Sequence, residues 1–553
     1  MSDQSFDYVI VGAGSAGCVL ANRLTADGHH RVLLLEYGGS DRSIFIQMPS
    51  ALSIPMNMPR YNWFYHTEPE PGLDGRSLHT PRGKVLGGSS SINGLVYIRG
   101  NPWDFERWAQ EGAKGWGYRD VLPYFRRAEK REEGGDCYRG GEGPLQTRYG
   151  TLSNPLHAAW LAAAAQAGYP HTDDVNGFQQ EGFGRMDMTV GEGRRSSAAN
   201  AYLRPAMRRP NLRVITHALA TRVLIEGRRA VGLQYRHGGV THTVRVGREL
   251  LVCAGPINSP QLLKLSGIGP AAELKAHGIE VAHELPGVGE NLQDHLEFYF
   301  QVACKEPVSL YSSINLWSRT LIGARWLLRK DGLGATNHFE TCGFIRSRPG
   351  IRYPDIQYHF LPMAVAYDGS TLAQEHGFQA HVGPMRSKSR GWVRLASADP
   401  LDKPRVMFNY LQTPDDVTEM RACVRLTREI FAQAAFDRYR GREIQPGATV
   451  QSDAQIDEFV RSKVESAYHP SCSCKMGSGD DPMAVVDPQA KVHGLEGLRI
   501  VDSSIMPSIT TGNLNAPTIM LAEKAADHIA GRGLLEPDDA PYYTAPNWQS
   551  AQR

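Results

Sequence analysis

The feature that most constrains this chain lies in its first forty residues. Residues 6–11 (FDYVIV) form a short apolar run, residues 12–17 read GAGSAG, and Val19, Leu20 and Leu24 then recur at helical spacing. A second β-type run at 31–35 (RVLLL) ends on Glu36, 24 residues after Gly12. Strand, glycine turn, helix, strand and acid in that order are what a Rossmann unit requires. Gly12 permits the tight turn, Gly14 lets the backbone approach a pyrophosphate, and Gly17 lets helix and strand pack closely. The helix N-terminus, opening on Ser15 and Ala16, offers amide donors and a favourable dipole to phosphates. Glu36 can accept hydrogen bonds from ribose hydroxyls. The pattern predicts a dinucleotide site and leaves FAD and NAD both open.

At 553 residues the chain exceeds what one simple core supports, so two or more structural units are expected. Lys+Arg number 60 against 58 Asp+Glu, a net charge of +2 that gives no support for a nucleic-acid partner. No run of 18 or more apolar residues occurs, so no bilayer-spanning helix is expected. The opening residues lack a basic leader and enter a strand directly, which favours the cytoplasm with at most peripheral contact at the inner membrane. Eight scattered cysteines are too sparse for a disulfide framework. The lone C-x-C at Cys472 and Cys474 lacks the second ligand pair that zinc requires, so no metal is expected.

Further segments narrow the cofactor. They are residues 84–94 (KVLGGSSSING), 255–269 (GPINSPQLLKLSGIG), 285–292 (LPGVGENL), 468–470 (YHP), 501–507 (VDSSIMP) and 512–518 (GNLNAPT). In order and spacing the chain resembles the glucose–methanol–choline (GMC) oxidoreductases. Residues 97–102 (YIRGNP), 337–340 (NHFE), 343–348 (GFIRSR), 356–362 (IQYHFLP) and 439–444 (YRGREI) resemble the bacterial choline-oxidising dehydrogenases of that family. The resemblance implies an α/β fold with a Rossmann-type FAD-binding domain assembled from residues 1–155, 195–300 and 465–553. Residues 156–194 and 301–464 would form an α+β substrate domain, a mostly antiparallel sheet with helices on its outer face. FAD would be held by Gly12, Gly14, Ser15, Ala16, Gly17, Glu36, Gly87, Gly88, Asn93, Gly94, Val223, Asp502 and Asn515. The implied reaction is oxidation of choline to betaine aldehyde, and onward to glycine betaine, by hydride transfer to flavin N5. Electrons would pass to a non-oxygen acceptor, a quinone or the respiratory chain. Dehydrogenation of another alcohol, or a non-redox lyase reaction on the same fold, remains open.

Alcohol oxidation removes a proton from oxygen and a hydride from carbon. His469 matches the family's catalytic histidine, a residue type whose ordinary pKa of roughly 6.5 suits a base near neutrality. Asn513 matches the catalytic asparagine, which holds the alkoxide-like oxygen by hydrogen bonding, and His359 matches a further active-site histidine. Choline carries a fixed positive charge with three methyl groups, so its site calls for a carboxylate and aromatic faces. Glu340 is the candidate carboxylate, with Glu297 as the alternative, and Tyr61, Trp63, Phe339 and Phe360 are candidate aromatics. Locally, residues 249–255 read as a buried strand ending at a glycine turn. Pro517 to Gly531 reads as a helix with N-terminal Pro and C-terminal Gly. By analogy its N-terminal end would favour negative charge on the flavin's N1–C2=O edge.

Ile92 stands where choline oxidases carry the histidine that links covalently to FAD, and an alkyl side chain cannot form that bond. Acid precipitation of the purified protein is therefore expected to leave the yellow colour in the supernatant; colour retained in the washed pellet would overturn this.

Overall fold

The computed structural model describes residues 5–366 and 375–553. Three strands form the parallel heart of the first sheet: β1 (Ser5–Val11), β2 (Val32–Leu35) and β3 (Val240–Val252). β1 pairs with β2 from Tyr8↔Val32 to Val11↔Leu35 and with β3 from Tyr8↔Glu249 to Val11↔Val252. Leu212–Ile215 extends the sheet in parallel beyond β2, and Leu498–Ile500 pairs in parallel with the end of β3. Val9, Ile10 and all of β2 are buried. Burial on both faces is why these strands read as unbroken apolar runs.

β3 is longer than the strand expected at 249–255. Its first half, residues 240–245, pairs antiparallel with 232–237 across a turn at Gly238 and Gly239, whose φ values are 59° and 80°. That half is largely exposed and polar, so it lacks the apolar signal of the buried end. Helix α1 (Ser15–Leu24) follows the glycine turn, and α2 (Gly255–Leu265) follows β3. Helix α3 (Asn515–Ala530) carries Pro517 in its first turn and ends on Gly531, left-handed at φ 64°. α3 packs along α1.

The second sheet is antiparallel. Its order is Arg440–Gln445, β4 (Leu296–Cys304), β7 (Gly377–Pro384), β6 (Ile356–Leu361), β5 (Thr341–Ile345) and Gly182–Arg185. Side chains alternate between its faces. Phe298, Phe300, Tyr358, Phe360, Phe378 and Val382 enter a core completed by helices Pro155–Gln166 and Pro414–Phe431. The intervening residues Glu297, Gln357, His359, Gln379 and His381 form a buried polar face. β4 runs unbroken through residue 300, the joint expected between the two units.

A Cβ at Gly17 would lie 1.9 Å from the Gly12 carbonyl oxygen, a backbone atom that cannot move aside. Gly17→Ala is expected to destabilise the protein by at least the ~1–3 kcal/mol usual for overpacking. Thermal melting checks this against Gly533→Ala, where a Cβ meets nothing within 4 Å; equal melting temperatures would overturn it.

Candidate active site

A cavity enclosing roughly 2020 Å³ of non-protein space, part of it open to solvent, lies between the first sheet and the polar face of the second. Glu36 lines one part of it, Gly14 and Ser15 another, and His469, Asn513, His359 and Glu297 a third. Two helices begin at this wall. The Ser15 hydroxyl donates to Asn515 Oδ1 at 2.8 Å, which joins the N-termini of α1 and α3. Neither first turn contains an acid. Two positive dipole ends therefore converge where an anionic cofactor group would lie. The Glu36 carboxylate accepts from the Ala13 and Gly38 amides at 2.9 and 2.7 Å, and burial raises its pKa to about 7.

His469 sits in a braced loop. Its amide donates to Asp294 Oδ1 at 2.7 Å, and Asp294 Oδ2 accepts from the Tyr410 hydroxyl at 2.6 Å. Burial raises Asp294 to about 6. Arg82 donates to the Tyr468 carbonyl at 2.5 Å, and Tyr468 itself is left-handed at φ 66°, a strained state for a tyrosine.

One carbonyl fixes every proton in the chain that follows. His295 Nε2 lies 3.0 Å from the Met385 carbonyl, which only accepts, so Nε2 carries the hydrogen. In a neutral ring His295 Nδ1 is then an acceptor. His469 Nδ1, 3.0 Å away, must donate to it, which leaves His469 Nε2 with a bare lone pair. That lone pair accepts from Asn513 Nδ2 at 3.0 Å, and Asn513 Oδ1 accepts from Gln357 and His359, each at 3.1 Å. Reversing the Asn513 amide would require His295 to present a lone pair to the Met385 carbonyl. Burial holds the rings neutral: His295 falls to about 3, His359 is lowered, and His469 lies well below the ordinary range, helped by His295, His359 and Arg82. The result is an unprotonated imidazole nitrogen aimed at the cavity beside an amide donor.

The carboxylate of this site is Glu297, 3% exposed, on β4. His381 Nδ1 lies 3.0 Å from Glu297 Oε1. Gln379 Oε1 accepts from the Val365 amide at 2.9 Å, so its Nε2 is the donor to His381 Nε2 at 2.7 Å. His381 Nδ1 is thereby the donor to Glu297. Phe339 stands edge-on to His381 at 5.3 Å and lines the cavity.

Glu340 lies elsewhere. Its oxygens accept from the Leu152 amide at 2.6 Å and the Thr336 hydroxyl at 2.8 Å, and it does not line the cavity. Of the aromatics, Trp63 and Phe339 face the cavity. Phe360 occupies the opposite face of β6 from His359, and Tyr61 packs with Ile46, Val85 and Ile92. Gly12, Gly14, Ser15, Ala16, Gly88, Asn93, Gly94, Asp502 and Asn515 line the cavity. Gly17 and Gly87 stand behind the wall, the latter donating to the Ala13 carbonyl at 2.7 Å. Val223 is too far along its strand; Ala218, Leu219 and Ala220 take the lining position. Asp502 accepts from the Gly255 amide at 2.9 Å and the Ser259 hydroxyl at 2.6 Å at the start of α2. His295, Asp294, Gln357 and His381 lie outside the motifs that single out His469. The alternation in 356–361 (IQYHFL) and 377–384 (GFQAHVGP), polar against apolar, is the signal that marks the face shared by Gln357 and His381. Among the described residues no group of three or more His, Cys, Asp or Glu could hold a metal ion.

Comparison with known proteins matches residues 6–297 and 387–522 to the N- and C-terminal GMC oxidoreductase models. The chain belongs to the GMC oxidoreductase family. It is 59% identical over 551 residues to an oxygen-dependent choline dehydrogenase of Photobacterium profundum, covering 99% of this chain and 97% of that one. A Brucella ovis protein of the same name is 58% identical, over 99% and 100% of the two chains. Among solved structures, pyridoxine 4-oxidase from Mesorbium loti superposes with a TM-score of 0.86 at 31% identity, over 95% of this chain and 99% of that one. An Aspergillus oryzae formate oxidase variant, studied for FAD modification, superposes at 0.89 with 26% identity, over 96% and 99%.

Because His469 Nδ1 already donates to His295, a carboxylate facing Nε2 can be satisfied only by the doubly protonated ring. Asn513→Asp is expected to raise the His469 pKa by about 1–3 pH units, the usual effect of an adjacent opposite charge. Histidine-labelled carbon NMR titration checks it; an unmoved His469 resonance would show that the chain does not run as described.

Proposed function

We propose that this protein oxidises choline to betaine aldehyde with bound FAD. The observation that carries the reading is Glu297, a buried carboxylate bonded to His381 Nδ1, on the same cavity wall as His469 and Asn513. A quaternary ammonium offers no ordinary hydrogen-bond donor, so attraction to a desolvated carboxylate and to the Phe339 ring is the means of recognition open to it. The choline dehydrogenases with which the chain shares more than half its residues support the same substrate. The convergent N-termini of α1 and α3, with Glu36 beyond them, fit the pyrophosphate and ribose of FAD. FAD supplies the hydride acceptor when bound. Ile92 supports non-covalent attachment, and the division into an FAD unit (1–155, 195–300, 465–553) and a substrate unit (156–194, 301–464) belongs to this reading, with the joint at 300 moved to the start of β4.

The residues divide the work. His469 Nε2 takes the hydroxyl proton once the substrate hydroxyl replaces Asn513 Nδ2 on its lone pair, while His295 and the Met385 carbonyl keep that nitrogen unprotonated beforehand. Asn513 Nδ2 holds the substrate oxygen as charge develops on it. Glu297 orients the cation so that the hydroxyl-bearing carbon faces the cofactor. Gln379 and Val365 fix the His381 tautomer that donates to Glu297. For the acceptor, the family resemblance implies a quinone, whereas the relatives' name ties them to oxygen.

Anaerobic addition of choline to the yellow protein is expected to bleach it. At an effective dielectric near 20, opposite charges about 4 Å apart attract by roughly 4 kcal/mol, of which desolvation leaves about 1–3 kcal/mol net. Glu297→Gln is therefore expected to lower bleaching by choline far more than by the neutral isostere 3,3-dimethylbutan-1-ol, while Glu340→Gln leaves the ratio unchanged. An unchanged ratio in Glu297→Gln would remove the choline reading. Reoxidation by air against a soluble quinone, followed in the same cuvette, identifies the acceptor.

A further inference from the structure

The helix Leu316–Arg329 is attached along one edge only. Trp326 is buried, its indole donates to the Gly193 carbonyl at 2.6 Å, and Gly334 lies against it. At 3.6 residues per turn, Leu316, Trp317, Leu321, Ala324, Leu327 and Leu328 fall on the opposite side. The large ones are exposed in that order by 81, 80, 67, 55 and 85%. A helix of a soluble protein turns its apolar stripe inward; this one turns it outward. Arg325 and Arg329 flank the stripe on one side, Arg319 is exposed near the helix start on the other, and the helix contains no acid. Asp331, just beyond, pairs with Arg325 at 2.6 Å. Close by, Pro49–Ala51 packs on Gly332–Ala335. The next turn exposes Ile54 and sends Leu52 and Met56 into the active-site cavity wall.

We propose that this helix is an interfacial anchor, lying in the headgroup layer of a bilayer that contains anionic lipid. A broad apolar face with an aromatic residue and flanking cations is the pattern such helices share. Trp317 and the leucines enter the acyl boundary while the arginines meet headgroup phosphates. The charge pattern decides the occupant. A second copy docked face to face would set the arginines against each other, since a twofold contact apposes the same patch. No helix among the described residues is long and apolar enough to cross a membrane, so this contact lies on one surface. It brings the wall of the active-site cavity within one packing layer of the bilayer.

Flotation of the purified holoenzyme with phosphatidylcholine vesicles, with and without about 30% phosphatidylglycerol, tests it. The full chain is expected to float with the anionic vesicles and to detach as salt rises. Replacing Leu316, Trp317 and Leu328 together by Ser is expected to lower the partition coefficient at least about tenfold. Arg319→Gln with Arg329→Gln is expected to lower it roughly 25-fold on anionic vesicles and to flatten the salt dependence. Melting temperatures should match wild type, because none of the five side chains is buried. Equal flotation of wild type and the triple variant would overturn the proposal. So would a wild type that stays off vesicles yet sediments as a dimer that the triple variant splits, which would assign the face to a second copy.

Discussion

The hydrogen bond from Ser15 to Asn515 joins two helix N-termini that lie 500 residues apart in the chain. α1 follows the first glycine turn and α3 follows Asn513, so the bond ties the glycine loop to the segment that carries Asn513. Arg23 and Glu523 repeat the tie further along the same pair, with a bidentate contact at 2.8–2.9 Å in which the carboxylate is fully buried. The cavity exists because these helices begin side by side. Each brings an uncapped, acid-free first turn, so backbone amides give the wall they share a positive potential.

Facing that wall, the second sheet solves a different problem. A sheet covered on both sides normally presents apolar residues to both. Here one face packs aromatics against helices and the other buries Glu297, Gln301, Gln357, His359, Gln379 and His381. These polar groups are tolerated because most bond to each other: Gln301 donates to Gln379 at 2.7 Å, Gln379 to His381, and His381 to Glu297. The network imposes direction as well as position. Backbone groups that cannot change role, the Met385 carbonyl and the Val365 amide, set the tautomers of His469 and His381.

The sequence displays the nucleotide half plainly, because glycine positions in a Rossmann turn answer to local sterics. Gly12, Gly14, Gly17 and Glu36 all fall where their spacing places them. His469 and Asn513 are legible through the motifs around them. The proposed cation partner is not, since Glu340 and Glu297 are both acids in apolar surroundings. Only the pairing of β4 with β7 decides which one meets His381. Val223 fails for a related reason: a strand's register against the cavity edge depends on where the strand begins. Tautomers and the carbonyl that fixes them depend on contacts between residues 90 and 174 positions apart, beyond any local pattern.

The parallel pairing of Leu498–Ile500 with β3 has a consequence for biosynthesis. The first sheet starts at residue 5 but gains its last parallel strand, and then α3, only after some 500 residues have been made. Contacts this distant in sequence form late and slowly, since the intervening chain must first be ordered. A nascent chain stalled before residue 498 holds the glycine loop and Glu36, yet lacks α3, Asn513 and the Asn515 contact. The cavity wall is therefore complete only in the finished polypeptide, and a truncated product leaves unpaired the edge of β3 that Leu498–Ile500 covers.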